Sequence, residues 1–126
     1  MVARFVLSAA AAAGLLVAMS AAAMADDVEA GKKVFNKCKV CHSLAPGENK
    51  IGPSLAGVIG RPAGSVEGFK YSDAMKNSGI TWDEANLDKF IANPEAVVNG
   101  NGMKPFGGVA DAGERKKIVD YLKTLK

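Results

Sequence analysis

The sequence predicts an all-α protein, on three observations. Apolar residues recur at intervals of three and four in several separate segments, which is typical of amphipathic helices. None of these segments shows the alternation of apolar and polar residues that indicates a half-buried strand. Long stretches rich in glycine and proline lie between the segments and favour irregular backbone. We therefore expect four to five helices joined by glycine-rich loops.

The first 25 residues are predicted to be a secretory signal peptide. Arg4 is the only charged side chain before Asp26, and the stretch that follows Arg4 is almost wholly apolar and rich in alanine. Ala23-Met24-Ala25 places small residues where such leaders are cleaved. A retained membrane anchor is the alternative, because the apolar stretch is about long enough to span a bilayer. The composition and the cleavage site favour removal and export to the periplasm.

Removal of residues 1–25 leaves 126 − 25 = 101 residues, 26–126, which is enough for one domain. The formal charge of +3 falls to +2 because only Arg4 is lost. Net charge therefore says little about partners. The sequence contains no arginine-rich run and no basic stripe with interleaved aromatic residues, so nucleic acid is not expected as a partner. We expect a soluble monomer.

The first helix is expected from Asp27 to Cys38. Gly31 inside it costs about 1 kcal/mol of helix propensity, which makes sense if a second helix crosses closely at that point. Residues 43–70 are expected to form a loop, because they contain six glycines and three prolines. So much irregular chain would argue against a compact domain of this size. A large apolar cofactor inside the loop would remove that objection.

Four further segments are predicted to be helical, with starts set by capping residues and proline. They are a short helix over 72–77, a longer one from Thr81 with Thr81 and Glu84 as a capping box, a short one that begins at Asn93-Pro94, and a last one over 112–124 capped by Asp111. Residues 99–108 contain four glycines and are expected to form a second loop.

Cys38-Lys39-Val40-Cys41-His42 contains both cysteines and the only histidine of the chain. Two thiols at this spacing can add to the vinyl groups of a haem, and the adjacent imidazole can then bind the iron. A disulfide, a dithiol redox pair and a zinc site are the alternatives. No βαβ pattern surrounds the motif, and a zinc site would need a fourth ligand. We predict one covalently bound haem c, with His42 as an axial ligand.

A second axial ligand must come from the few remaining candidates. Met75 and Met103 are the only thioethers after the leader, and most methionines are core filler. Met103 is favoured because it lies in a glycine-rich loop that can approach the haem, whereas Met75 lies in a short helical stretch where packing is natural. Ligation by histidine and methionine raises the reduction potential and closes the iron to oxygen. Such a centre suits electron transfer, so we do not expect an enzyme.

The chain resembles the class I cytochromes c, the family of mitochondrial cytochrome c and its bacterial periplasmic relatives. The resemblance covers residues 27–126. It rests on these segments in order: Gly31 to Phe35, Cys38 to His42, Gly52-Pro53-Ser54-Leu55, Gly60-Arg61, Gly68 to Ala74, Gly79 to Trp82, Asn93-Pro94, Met103 and Tyr121-Leu122-Lys123.

The resemblance implies the small cytochrome c fold wrapped around one haem. Cys38 and Cys41 would carry the thioether bonds, and His42 and Met103 would be the axial ligands. The remaining implied contacts are the carbonyl of Pro53 as acceptor from His42, the side chains of Arg61, Tyr71 and Trp82 at the haem propionates, and Gly31 and Phe35 packed against Ile118 and Tyr121.

The chain departs from the family pattern near the predicted methionine ligand. Phe90 stands where a tyrosine is frequent, and Met75 stands where an asparagine is common. Phe106 lies three residues after Met103, whereas mitochondrial members place a phenylalanine two residues after. Lysines typical of mitochondrial members are also missing at Glu95, Ala96, Gly102 and 109–112. Electrostatic steering toward an acidic partner should therefore be weaker than in mitochondrial members.

The sequence and the resemblance together predict a soluble periplasmic one-electron carrier. Its partners would be redox proteins such as a cytochrome bc1-type complex, a terminal oxidase, a reaction centre or a periplasmic dehydrogenase. Lys37, Lys39 and Lys104 are expected on the docking face. A haem sensor or peroxidase-like protein with a labile sixth ligand is the alternative. A periplasmic dithiol oxidoreductase is a third hypothesis and would carry no haem.

Overall fold

The computed structural model describes residues 26–125 as a set of short helices joined by long irregular segments. The predicted signal peptide, residues 1–25, lies outside the described residues. Five helices are present in the described part: α1 at 26–35, α2 Asp73–Lys76, α3 Glu84–Ala92, α4 Pro94–Val97 and α5 Ala112–Lys123. The only strand-like pairing within 26–125 is an isolated bridge between Pro62 and Thr81. The all-α prediction is thus confirmed.

Most of the predicted helix ends are confirmed, and local capping explains them. Asn93 caps α4, with Pro94 at the first helical position, and its side chain accepts a hydrogen bond from the Ala96 N–H at 3.3 Å. Asp111 caps α5 in the same way, through the Glu114 N–H at 2.9 Å. The predicted loops over 43–70 and 99–108 are also irregular in the structure.

Two predicted helix boundaries are wrong: the start of α3 and the end of α1. Asp83, not Thr81, caps α3, because Thr81 and Trp82 are held in extended backbone. The Trp82 N–H donates to the carbonyl of Arg61 at 2.9 Å, and the Asp83 side chain then accepts from the Asn86 N–H at 2.7 Å. The first helix ends at residue 35, three residues before its predicted end, because the chain continues in tight turns over 36–41.

The close crossing expected at Gly31 is confirmed between α1 and α5. A Cβ atom placed on Gly31 would lie 2.6 Å from Cβ of Tyr121 and 2.7 Å from the carbonyl oxygen of Lys117. Phe35 packs edge-on against the Tyr121 ring, with centroids 5.5 Å apart, and Ile118 is almost fully buried beside them. A residue without a side chain is therefore required where the two helices meet.

The core is continuous around one side of a cavity. Buried apolar residues come from α1, α2, α3 and α5 and from the segments between the helices; they are Phe35, Val58, Met75, Trp82, Leu87, Phe90, Ile91, Val98, Val109, Ile118, Val119, Tyr121 and Leu122. Helices α3 and α5 pack together and position several of these residues. No helix within 26–125 is long and apolar enough to cross a membrane.

Candidate functional site

A cavity of about 530 Å³ lies between the helices and the two glycine-rich loops. Its volume falls in the range of about 300–1,000 Å³ that is typical of cofactor and ligand sites. All eight predicted site residues line it: Cys38, Cys41, His42, Pro53, Arg61, Tyr71, Trp82 and Met103. Residues that are up to 65 positions apart in sequence therefore face one space.

The two cysteines and the histidine are presented by the tight turn that follows α1. The Cys38 N–H donates to the carbonyl of Phe35 at 2.8 Å, and the His42 N–H donates to the carbonyl of Cys38 at 2.9 Å. This turn places both thiols and the imidazole on the cavity wall. No disulfide joins Cys38 to Cys41.

The chemistry of Cys38 argues against a dithiol oxidoreductase. Burial raises the pKa of the Cys38 thiol to about 11, although the nearby Lys37 ammonium acts in the opposite direction. Thiol–disulfide exchange requires a thiolate, and redox-active Cys-x-x-Cys motifs lower the pKa of the attacking cysteine. The described residues also contain no cluster of three or more His, Cys, Asp or Glu side chains that could hold a zinc ion.

The imidazole of His42 is buried and held in one orientation. Its Nδ1 lies 2.8 Å from the carbonyl oxygen of Pro53, and a carbonyl can only accept, so Nδ1 carries the proton. Nε2 is then the nitrogen with a free lone pair. A Cβ atom on Gly52 would overlap the ring, so the backbone of Gly52 lies directly against the imidazole. The contact with Gly52 is one that sequence reasoning missed.

Burial lowers the pKa of His42 below its usual range. The hydrogen bond to the Pro53 carbonyl opposes this effect, and the positive charge of Arg61 lowers the pKa further. The imidazole is therefore neutral near pH 7. A neutral, oriented imidazole is the form that binds a metal ion, and a carbonyl partner on the other ring nitrogen is the usual way of orienting such a ligand.

Met103 lies in the loop between α4 and α5, partly buried against the core. Its backbone N–H donates to Oδ1 of Asn101 at 2.6 Å. Asn101 is itself buried, with 7 % of its surface exposed. Sequence reasoning did not single out Asn101; the signal was an asparagine between two glycines, a pattern that often marks a side chain bonded to its own turn.

Met75 also lines the cavity, from helix α2. It is buried, with 7 % of its surface exposed, and it belongs to the continuous core. Its backbone N–H is occupied by the Ser72 cap at 3.2 Å. The packing role expected for Met75 agrees with this position, and both thioethers of the described residues reach the cavity wall.

Three further predicted residues form a more polar part of the wall. Nη1 of Arg61 donates to the Ala56 carbonyl at 3.3 Å, and the Tyr71 hydroxyl accepts from the Val66 N–H at 3.0 Å. Trp82 is buried and packs against Phe90, with ring centroids 4.9 Å apart. No carboxylate within 26–125 forms an ion pair with Arg61. Burial lowers the pKa of this guanidinium.

These residues fit a haem. The wall is mostly apolar, as a porphyrin requires, and two thiols stand beside an oriented imidazole at one part of it. A half-buried cation without a carboxylate partner is costly unless an anion lies nearby. A haem propionate would supply that negative charge beside Arg61.

Comparison with known proteins agrees with this chemistry. The family model described as cytochrome c matches residues 28–126. Cytochrome c2 iso-2 of Magnetospirillum molischianum is 51% identical over 92 residues, which cover 73% of this chain and 94% of that protein. The chain belongs to the cytochrome c family. Cytochrome c2 of Rhodoblastus acidophilus is 50% identical over 103 residues, or 81% of this chain and 95% of that protein.

A solved cytochrome c structure shows that the fold is shared as well. Cytochrome cH from Methylobacterium extorquens superposes with a TM-score of 0.72 at 42% identity, and the match covers 78% of this chain and 98% of that one. The predictions of a cytochrome c fold and of one covalently attached haem c are therefore confirmed. The protein is a class I c-type cytochrome, which carries electrons and is not an enzyme.

Proposed function

We propose that this cytochrome c is exported to the periplasm and carries single electrons between redox proteins, with His42 and Met103 as the axial ligands of its iron. The observation that carries the proposal is the shared cavity, in which a neutral imidazole oriented by Pro53 and a loop methionine both reach the wall. When bound, the haem supplies a one-electron iron couple whose potential is raised by a thioether ligand.

The protein's own residues prepare this site in three ways. Pro53 fixes the tautomer and the orientation of His42, so that Nε2 is free to bind iron. Asn101 holds the backbone of Met103 at 2.6 Å. The apolar wall, which includes Leu87, keeps water from the site. A dry site with two fixed ligands needs little rearrangement when its charge changes.

Export is supported by the sequence of residues 1–25, which has the charge, the apolar stretch and the small residues of a signal peptide. The domain proper would then be residues 26–126. The cytochrome c2 proteins similar to this chain match it over 72–89% of its length, and the family match begins at residue 28.

A docking face at the mouth of the cavity is supported by the placement of three lysines. Lys37 and Lys104 line the cavity, and Lys39 is exposed in the turn between the two cysteines. Val40 and Ile51, which are 73% and 75% exposed, lie on the same wall. Charged groups around an exposed apolar edge suit the small, weak interfaces of electron transfer. Acidic faces of a cytochrome bc1-type complex, a terminal oxidase, a reaction centre or a periplasmic dehydrogenase are the proposed partners.

The test is the absorption spectrum of the oxidised protein matured with haem. A weak far-red band, characteristic of a thioether bound to ferric iron, is expected in the wild type and absent in Met103→Ala, while Met75→Leu keeps it. A wild-type spectrum without the band, together with carbon monoxide binding by the reduced protein at neutral pH, would contradict the ligation and favour the sensor or peroxidase-like alternative.

A further inference from the structure

The loop that carries Met103 is tied to the start of α4 by one carboxylate, that of Glu95. Its Oε2 accepts a hydrogen bond from the Gly100 N–H at 3.0 Å, and its Oε1 accepts one from Nδ2 of Asn101 at 3.1 Å. The ammonium of Lys104 lies 4.0 Å from Oε1. The carboxylate therefore contacts the loop both before and after Met103.

Asn101 transmits this contact to the methionine. Its Nδ2 also donates to the Val98 carbonyl at 3.0 Å, and its Oδ1 accepts from the Met103 N–H at 2.6 Å. A carboxylate and a carbonyl can only accept, and a backbone N–H can only donate, so these partners fix which way the amide points. Four polar atoms thus connect Glu95 to Met103: Oε1 of Glu95, Nδ2 and Oδ1 of Asn101, and the Met103 backbone nitrogen. The bond from Nδ2 to the Val98 carbonyl is a side branch of this path.

We propose that Glu95, acting through Asn101, is a positioning residue that keeps Met103 on the iron and so weakens the binding of external ligands. The inference rests on the His42 and Met103 ligation proposed above. Hydrogen bonds to a carboxylate are roughly twice as strong as those between neutral groups. The side chain of Glu95 is 37% exposed, so solvent screens it only partly. Because Glu95 bonds two positions of the loop, we expect it to stabilise the loop more than a single exposed ion pair would.

The experiment measures the binding of imidazole to the oxidised holoprotein. Loss of the far-red band is the signal that reports binding. Imidazole can bind only when Met103 has left the iron, so its apparent affinity reports how firmly the loop is held. Glu95→Gln keeps one acceptor oxygen and can satisfy only one of the two N–H donors. We expect it to bind imidazole about tenfold more tightly than the wild type, which corresponds to the loss of one charge-assisted hydrogen bond.

A second substitution tests the role of Asn101. Asn101→Asp would set a carboxylate against that of Glu95, and imidazole affinity should rise by about tenfold or more, since like charges repel at this distance. In the double variant Glu95→Gln with Asn101→Asp, the introduced glutamine can donate to the introduced carboxylate. Its imidazole affinity should return toward that of Glu95→Gln alone, whereas independent destabilisation would make the two effects add.

Glu84→Gln is the matched control, because it removes the same charge from an exposed glutamate that pairs with Lys123 at 2.7 Å and does not line the cavity. The inference is overturned if Glu95→Gln binds imidazole within about twofold of the wild type. It is also overturned if Glu84→Gln changes the affinity equally. A wild type without the far-red band would instead overturn the ligation itself, and this separates the two failures.

Discussion

The surroundings of Arg61 indicate that the cofactor carries a negative charge near this residue. The guanidinium is half-buried at the cavity wall, donates to the Ala56 carbonyl at 3.3 Å, and has no ion-pair partner within residues 26–125. Burial lowers its pKa, although the group remains charged at any physiological pH. A cation in this position is stabilised when a haem propionate lies beside it.

Arg61→Leu is expected to lower the reduction potential by roughly 20–60 mV. A nearby positive charge disfavours the more positive oxidised iron, and an interaction of about 0.5–1.4 kcal/mol at an effective dielectric constant of ~20 corresponds to that shift for one electron. Arg61→Lys keeps the charge and should change the potential less. Redox titration of the wild type and the two variants measures the three potentials. Equal potentials in all three would mean that Arg61 does not lie beside a haem propionate.

At the scale of the elements, the crossing of α1 and α5 depends on Gly31. Two effects oppose each other if this glycine becomes alanine. Helix propensity improves by about 1 kcal/mol, because alanine is the better helix former. The new Cβ, however, would lie 2.6 Å from Cβ of Tyr121 and 2.7 Å from the Lys117 carbonyl oxygen, and neither atom can move without shifting a helix. Overpacking of this kind costs about 1–3 kcal/mol.

We therefore expect Gly31→Ala to lower the free energy of unfolding of the holoprotein by about 1 kcal/mol or more, since the overlap outweighs the propensity gain. Guanidinium chloride unfolding, followed by the haem absorption, measures it. Gly107→Ala is the control, because a Cβ there meets no atom within 4 Å and its backbone is not left-handed. A Gly31→Ala protein as stable as that control would show that the helices can separate at no cost.

At the scale of the whole molecule, the cavity takes the place of much of the core. Its wall includes Phe35, Trp82, Leu87, Phe90, Ile118 and Leu122, which are among the most buried residues of the protein. Without the cofactor these side chains would face a space of about 530 Å³. Lost contacts around an unfilled cavity cost roughly 24 cal/mol for each Å³ in a well-packed core. A domain of this size has only about 5–15 kcal/mol of stability.

The haem-free chain is accordingly expected to be poorly folded. Cys38→Ser with Cys41→Ser, expressed without haem maturation, should show reduced helical circular dichroism and no cooperative thermal transition. The wild-type holoprotein measured in parallel should show a single sharp one. Cooperative unfolding of the haem-free protein would mean that the helices form a sufficient core alone.

The charge around the cavity mouth sets how the molecule meets a partner. Lys37 pairs with Glu114 at 3.0 Å, and Lys104 lies 4.0 Å from Glu95. Each of these lysines is partly neutralised within its own chain, whereas Lys39 has no ion pair among residues 26–125. Steering by this face should be modest, since the field of a paired charge falls off quickly.

The rate of reduction by an acidic redox partner should therefore fall by less than about tenfold between low salt and 0.2 M salt. Lys39→Ala should slow the reaction more than Lys37→Ala does, because only the first removes an unpaired charge. Stopped-flow measurement of second-order rate constants tests both statements. A steep salt dependence, or equal effects of the two substitutions, would show that the ion pair of Lys37 opens on docking.

The cofactor, the helical class and most helix ends could be predicted from the amino-acid sequence alone. These features depend on residues that are neighbours in the chain. The thiols and the imidazole of 38–42 share one turn, Asn93 and Asp111 cap the helices that follow them, and glycines and prolines keep 43–70 irregular. Such preferences act over a few bonds, so they can be recognised before the fold is known.

Contacts between segments that are distant in the chain could be seen only in the folded structure. The α3 helix begins at Glu84 because residues 60–62 pair with 81–82 and hold them extended. No pattern in the neighbouring residues predicts this pairing. The same holds for the imidazole of His42, which rests on the backbone of Gly52. Glu95 stands where mitochondrial members of the family carry a lysine, a departure that the sequence already showed. Its contacts with 100 and 101 exist only because the loop folds back over α4, and they bear on Met103. Such contacts depend on where the chain returns in space, and a reading of neighbouring residues cannot supply that.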